Sequence, residues 1–309
     1  MARALAPIFF FLLLPFTIFG QPDTVKIGLF VTDLYDLNLS EKRFSADFWL
    51  WFNYSDSTLV PMETIELTKA RELNKRLDFL EEKGGVQWAT QKINAVFKAD
   101  WDVQDFPFDV QVLTIDIEES DRDIGSLVYE VDTASTKYFS EISIKNWEIV
   151  DFGVRNSAIA YPTDYGDPTL DGTSTYTRAM VYFKLKRKSQ GLFFTLFTGV
   201  YVAFFISVLV FFIDPVDVDP RFGLSVGGLF AAVGNKYIVD SILPQSTSFT
   251  LVDKIHIMTY IFLLLCIVLS VISLRLWKNN KKVQSRRLDR LSFILLTLIY
   301  LVFNLVFIF

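Results

Sequence analysis

The chain has a single histidine, His256, and a single cysteine, Cys266. The cysteine sits in an apolar run, and no nucleophile–base motif surrounds either residue. One thiol excludes both a disulfide framework and a cysteine-based metal site. An enzyme is therefore not expected, and the residues that could do chemistry are carboxylates and polar breaks in apolar segments. "IEESDRDIG" puts Glu118, Glu119, Asp121 and Asp123 close together. Clustered carboxylates can bind Ca²⁺, sense protons through mutually raised pKa values, or simply form a solvated loop. The second stretch is "VDVDPRFGLSVGGLFAAVGNKYIVDSILP", residues 216 to 244, preceded by Asp214. It is long and apolar enough to read as a membrane span, yet it carries Asn235, Lys236, Asp240 and four glycines.

On a helix, Asp219, Gly223, Phe230, Gly234, Tyr237 and Ser241 share one face, with Gly227 near its edge. A helix that lines water can carry such a face, because polar residues in membrane helices point into cavities or at each other. The alternative is that the glycines permit close helix packing and that Phe230 is core. Lys236 lies off this face, one turn before Asp240, which permits a salt bridge along the helix or to a neighbouring subunit. Asp219 followed by Pro220 has the form of an N-cap and a first-turn proline.

The elements that must position these residues fall into two halves. A chain of 309 residues that is 51% hydrophobic and 16% aromatic is too apolar for an ordinary soluble domain. A net charge of −5 argues against a nucleic-acid binder. Residues 1–20 read as a secretory signal peptide. Residues 21–188 alternate in the manner of strands, as in "QVLTIDIE" and "RAMVYFKLKR", with turn signals between them. About ten strands predict an all-β, immunoglobulin-like sandwich. One exception, "LTKARELNKRLDFLEEKG", favours a short helix or surface loop. Residues 189–309 predict an α-helical four-span bundle, with spans at about 191–213, 222–243, 257–274 and 291–309. The basic loop "RLWKNNKKVQSRRLDR" belongs in the cytoplasm. That topology puts the sheet-rich half and the C-terminus outside the cell membrane.

"WDVQDFPFDVQ", residues 101 to 111, resembles the signature loop of the pentameric ligand-gated ion channels, the Cys-loop receptor superfamily. The cysteines that bracket that loop in animal members are Ala99 and Leu113 here, as in prokaryotic members. "NWEIVDF", Arg187 before the first span, "ILP" after the second and "RRLDRLSFILLTLIYLVFNLVF" extend the resemblance over essentially the whole mature chain. Three features depart from it. Tyr54-Ser55-Asp56 replaces the usual tryptophan-x-aspartate, the segment before the signature loop is short, and the first span lacks its common proline.

The resemblance implies a homopentamer among membrane lipids, conducting ions when an agonist binds outside. Five copies of the second span would line a pore with Asp219, Gly223, Gly227, Phe230, Gly234, Tyr237 and Ser241. Phe230 would form a hydrophobic gate, and rings of Asp214, Asp217 and Asp219 would favour permeating cations. Phe106, Pro107, Phe108 and Asp109 of the signature loop would couple to Arg187, with Pro244 and the loop 245–253 as the moving element. The first hairpin turn, which often adds a carboxylate, offers Asn38 and Leu39, with Glu41 displaced. The hairpin "AYPTDYGDPTLDGTSTY" is similar to the loop that closes over the agonist and would supply Tyr161, Tyr165 and Tyr176, suited to a cationic amine. No cofactor is required, and Ca²⁺ enters only as a possible modulator. The competing reading is a membrane-anchored extracellular sensor or adhesion module that does not conduct.

Overall fold

A computed structural model describes residues 21–168, 172–241, 243 and 249–308. Residues 1–20, expected to be a signal peptide, Pro244 and residues 245–248 of the loop 245–253 lie outside the described residues.

Ten strands make up residues 23 to 187: β1 (Asp23–Asn38), β2 (Arg43–Tyr54), β3 (Ile65–Leu67), β4 (Ala70–Lys83), β5 (Val86–Lys98), β6 (Val110–Glu119), β7 (Leu127–Val131), β8 (Lys137–Tyr138), β9 (Trp147–Tyr161) and β10 (Ser174–Arg187). A single helical turn, α1 (Pro61–Thr64), precedes β3. One sheet runs β4-β5-β2-β1-β7 with β8 also on β1, and the other runs β3-β6-β10-β9. Alternate residues of both sheets turn inward and share one core. Ile27, Phe48, Phe52 and Phe97 come from the first sheet, and Ile115, Ile117, Val181 and Phe183 from the second. Alternation was the signal that identified these strands, and burial of one face is its cause.

The polar stretch expected as a helix or loop is instead the edge strand β4. It pairs antiparallel with β5 from Ala70↔Phe97 to Lys83↔Val86. Between Lys83 and Val86 the turn is Gly84-Gly85, with φ of 63° and 81°. Two consecutive left-handed residues suit a tight hairpin, and glycine adopts them at little cost. The turn and the ladder of β5 therefore override the local helix preference of Glu, Lys, Arg and Leu.

Four long helices follow: α2 (Gln190–Val208, continuing as a 3₁₀ turn through Phe212), α3 (Val218–Asp240), α4 (Leu251–Lys278) and α5 (Lys282–Ile308). All four are long and apolar enough to cross a membrane. α4 and α5 run further than the expected spans because their basic ends stay helical after the apolar run stops. Thr250 and Asp253 close a reciprocal capping box at the start of α4. The N-cap of α3 is Asp217, not Asp219. The helix begins one residue later at Val218, and Asp219 falls in the first turn, where an acidic side chain suits the helix dipole.

Candidate functional site

Helix α3 has two unlike faces. Arg221, Ser225, Gly228, Ala232 and Val239 are buried against the rest of the chain. A Cβ added at Gly228 would overlap the Ser207 hydroxyl and come within 2.9 Å of the Ala203 carbonyl oxygen on α2. This glycine serves helix packing. The other face is bare in the single chain: Gly223, Gly227 and Gly234 have nothing within 4 Å of an added Cβ. Phe230 is 72% exposed and Tyr237 80%, and Asp219 and Ser241 are exposed beside them. The stripe expected from helical spacing is therefore one continuous unpartnered surface, and Phe230 is not core.

The polar residues off that stripe are used inside the chain. Asn235 Oδ1 lies 3.0 Å from His256 Nε2 on α4, and His256 Nδ1 lies 2.8 Å from the Val252 carbonyl oxygen. Lys236 pairs with Asp240 on its own helix and with Asp253 on α4, at 2.9 Å. Arg221 is wholly buried, donating to Asp289 of α5 at 2.5 and 3.2 Å and to the Ile213 carbonyl at 3.0 Å. Its charge is thus matched away from the acidic end of the stripe. There, Asp217 and Asp219 are exposed, and Asp214 lies 3.5 Å from Arg286.

At the opposite end of α3 the two halves of the chain are joined by the 101–111 loop. Arg187 donates to both oxygens of Asp109, Nε at 2.6 Å and Nη2 at 2.8 Å, and both residues are buried. This is the bidentate fork in which a guanidinium fits a carboxylate best. Gln111 adds a 2.6 Å bond to Asp109. Trp147 and Phe106 face the guanidinium at 3.9 and 4.9 Å, an arrangement that favours a cation. Phe106 and Val103 share one apolar cluster with Leu196, Val200, Ala232 and Leu251 of three helices. Pro107, joined to Phe106 by a cis peptide, is buried beside them, and Phe108 meets Phe193 of α2 at 5.8 Å. The amide of Leu251, the first residue of α4, donates to the Gln104 carbonyl at 2.8 Å.

The first hairpin turn reaches this junction through Leu39, which packs on the same cluster. Asn38 receives the Trp101 indole at 3.1 Å. Glu41 pairs with Arg43 at 2.8 Å and supplies no second carboxylate to Arg187. Gln111, Trp147, Gln104 and Asp253 were not singled out from sequence. Gln111 and Trp147 stand in motifs already recognised, so their proximity was the only hidden element.

The three tyrosines come together at the far end of the sheets. Ring centroids of Tyr161, Tyr165 and Tyr176 are 6.1 to 6.4 Å apart. The Tyr161 hydroxyl donates to Glu118 at 2.9 Å, and Arg178 holds the other oxygen of Glu118 at 2.8 Å through Nε. Burial, followed by the Glu118 hydrogen bond, raises the Tyr161 pKa above the ordinary phenol value. The acidic residues are not brought together. Glu118 serves Arg178 and Tyr161, whereas Glu119, next along the strand, accepts from Thr64 at 2.9 Å and Tyr129 at 3.0 Å. Asp123 accepts from the Ser126 hydroxyl at 2.9 Å, and Asp121 is exposed. Among the described residues no group of three carboxylate, histidine or cysteine side chains could hold a metal ion. Glu118 and Glu119 have separate partners because adjacent strand residues point to opposite faces, and Asp121 and Asp123 follow beyond the end of β6.

No family model and no curated protein matches this chain. The likeness of residues 101–111 to a signature loop therefore rests on the residues themselves.

Proposed function

We propose that the chain is one subunit of a homopentameric, cation-selective channel of the ligand-gated type. In this reading the two sheets form an immunoglobulin-like extracellular domain, and α3 lines the pore. The observation that carries it is the bare face of α3. Helix α5 presents lipid-facing leucine and valine, such as Leu295, Leu298, Val302 and Leu305. The bare face of α3 presents three glycines, Ser241 and Asp219 around Phe230 and Tyr237, with the exposed Val226 and Val233 along its edge. Lipid gains little from such a surface, whereas water and further copies of the same helix satisfy it. Phe230 would narrow the lumen as a dry ring and the acidic mouth would favour cations. The junction of Asp109 and Arg187 would carry the signal. Three clustered tyrosines suit a small organic cation as the agonist.

The test is accessibility in a functioning bilayer, with Cys266→Ala as background. Gly223→Cys, Gly227→Cys, Gly234→Cys and Ser241→Cys should each make the current sensitive to a charged, water-soluble thiol reagent. Ala232→Cys, buried, and Leu298→Cys, on the lipid side of α5, should not. Absence of any current from the background protein would favour a non-conducting anchored sensor, and block at Leu298→Cys alone would put α5, not α3, along the ion path.

A further inference from the structure

Arg221 is the only basic residue of α3 before Lys236. It follows Asp217 by four residues and Asp219 by two, yet its guanidinium binds neither carboxylate. Two residues turn a helix by about 200°, so Arg221 and Asp219 leave it on opposite sides. The side chain of Arg221 is wholly buried. Its two Nη atoms donate to Asp289 and to the Ile213 carbonyl oxygen, and its Nε finds no acceptor among the described residues. Among those residues Asp289 is the one counter-charge of an enclosed cation. Asp289 is itself buried on α5, on the packed side of α3 and away from its bare face.

A guanidinium enclosed without its carboxylate is strongly disfavoured, and one carbonyl oxygen would be its only remaining acceptor. The nearest open anion is Asp217, exactly one i,i+4 step earlier, where the Arg221 amide already meets the Asp217 carbonyl oxygen at 3.3 Å. Asp217 is exposed and holds no ion pair among the described residues. Asp214 is less open, because Arg286 lies 3.5 Å from it. We propose that Asp289 sets the ion selectivity of the pore from behind it. By holding Arg221 inside the bundle it withholds one positive charge per subunit from the cytoplasmic mouth, which leaves the rings of Asp217 and Asp219 uncompensated. Asp289 is a positioning residue: it acts through Arg221 and touches no permeating ion. This inference rests on the reading of α3 as the pore-lining helix.

The test reads the reversal potential of the full-length chain in a planar bilayer under a salt gradient. A bundle that is merely loosened loses current, whereas a charge delivered to the mouth moves that potential. Asp289→Asn should shift it toward the value of a non-selective pore, and by as much as Asp217→Asn, since each changes the mouth by one charge per subunit. Asp289→Leu with Arg221→Met replaces the buried pair by apolar side chains, a change that such pairs tolerate. That double variant has no cation to release and should keep the reversal potential of the unmodified channel. If Asp289→Asn alone does not assemble, it is mixed with the unmodified chain, and the shift should grow with its share. An unchanged potential in Asp289→Asn, alone or mixed, beside a shifted one in Asp217→Asn would overturn the role of Asp289 and leave the pore reading standing. A shift in the double variant equal to that in Asp289→Asn would overturn it as well. An unmodified channel that conducts without preferring cations would overturn this proposal and the selectivity reading together.

Discussion

Arg187 and Asp109 are each fully committed to the other, and that is a property of two side chains before it is a property of a junction. Removing either leaves a buried charge without its partner, which costs about 3–5 kcal/mol. Removing both avoids that penalty, so the pair should be non-additive by about 0.5–3 kcal/mol in a double-mutant cycle of Asp109→Ala and Arg187→Ala. The measurement is unfolding stability alongside the agonist midpoint. Additive effects on both would mean that the pair acts only as two independent residues. Tyr161 allows a comparable dissection at the other end of the sheets. Its raised pKa keeps the phenol neutral at physiological pH, so the ring offers a π-face and not a phenolate. Tyr161→Phe removes the hydroxyl bound to Glu118 but keeps the ring. It should preserve binding of a small organic cation within a few-fold, whereas Tyr161→Ala should lose about 0.5–2 kcal/mol of affinity. If the two variants bind equally, the ring takes no part in recognition.

Among the elements, α3 makes the clearest internal comparison because it carries glycines on opposite faces. Gly228→Ala forces a methyl group into α2 and should destabilise by about 1–3 kcal/mol. Gly227→Ala meets open space in the single chain and gains helix propensity, about 0.8–1 kcal/mol. Thermal melting of the purified chain should therefore fall for the first and hold or rise for the second. The reverse order would place Gly227 in a packed interface. Sequence spacing alone could read this helix well, since 3.6-residue periodicity groups Gly223, Phe230 and Ser241 whatever the environment. It could not say which glycine packs, because Gly227 and Gly228 differ only in what stands opposite. For β4 the sequence misleads for a related reason. Its Glu, Lys and Arg favour a helix locally, and only pairing with β5 across Gly84-Gly85 makes it a strand. The acidic run 118–123 was legible as charge but not as geometry. Arg178 and Tyr129, which take up Glu118 and Glu119, are some sixty and ten residues away, and only the pairing of β6 and β10 brings Arg178 alongside. By contrast, the 101–111 loop was legible only through its resemblance to a known signature, and the packing of Phe106 on the helices could not be read from spacing.

For the whole molecule, a single chain leaves α3 half uncovered and its acidic end open, and the proposed pore would form only if several copies closed around that face. Two variants separate the barrier from the selectivity of such an assembly. Phe230→Ala shrinks each side chain of the proposed ring, which weakens a dry constriction without touching the carboxylates. It should leak without agonist or open at lower agonist, with its reversal potential under a salt gradient unchanged. Asp219→Asn does the opposite. It lies in the first turn of α3 and not at the cap, so its loss weakens only a dipole interaction, about 0.3–1 kcal/mol. The ring charge, however, falls by one for every subunit. Reversal potential should therefore move toward that of a non-selective pore and conductance should drop, while the agonist midpoint holds. Arg221 cannot compensate, because Asp289 keeps it buried on the far side of the helix. If Phe230→Ala stays silent without agonist and Asp219→Asn keeps the original reversal potential, the bare face of α3 does not line the ion path, and a face between subunits must carry these residues instead.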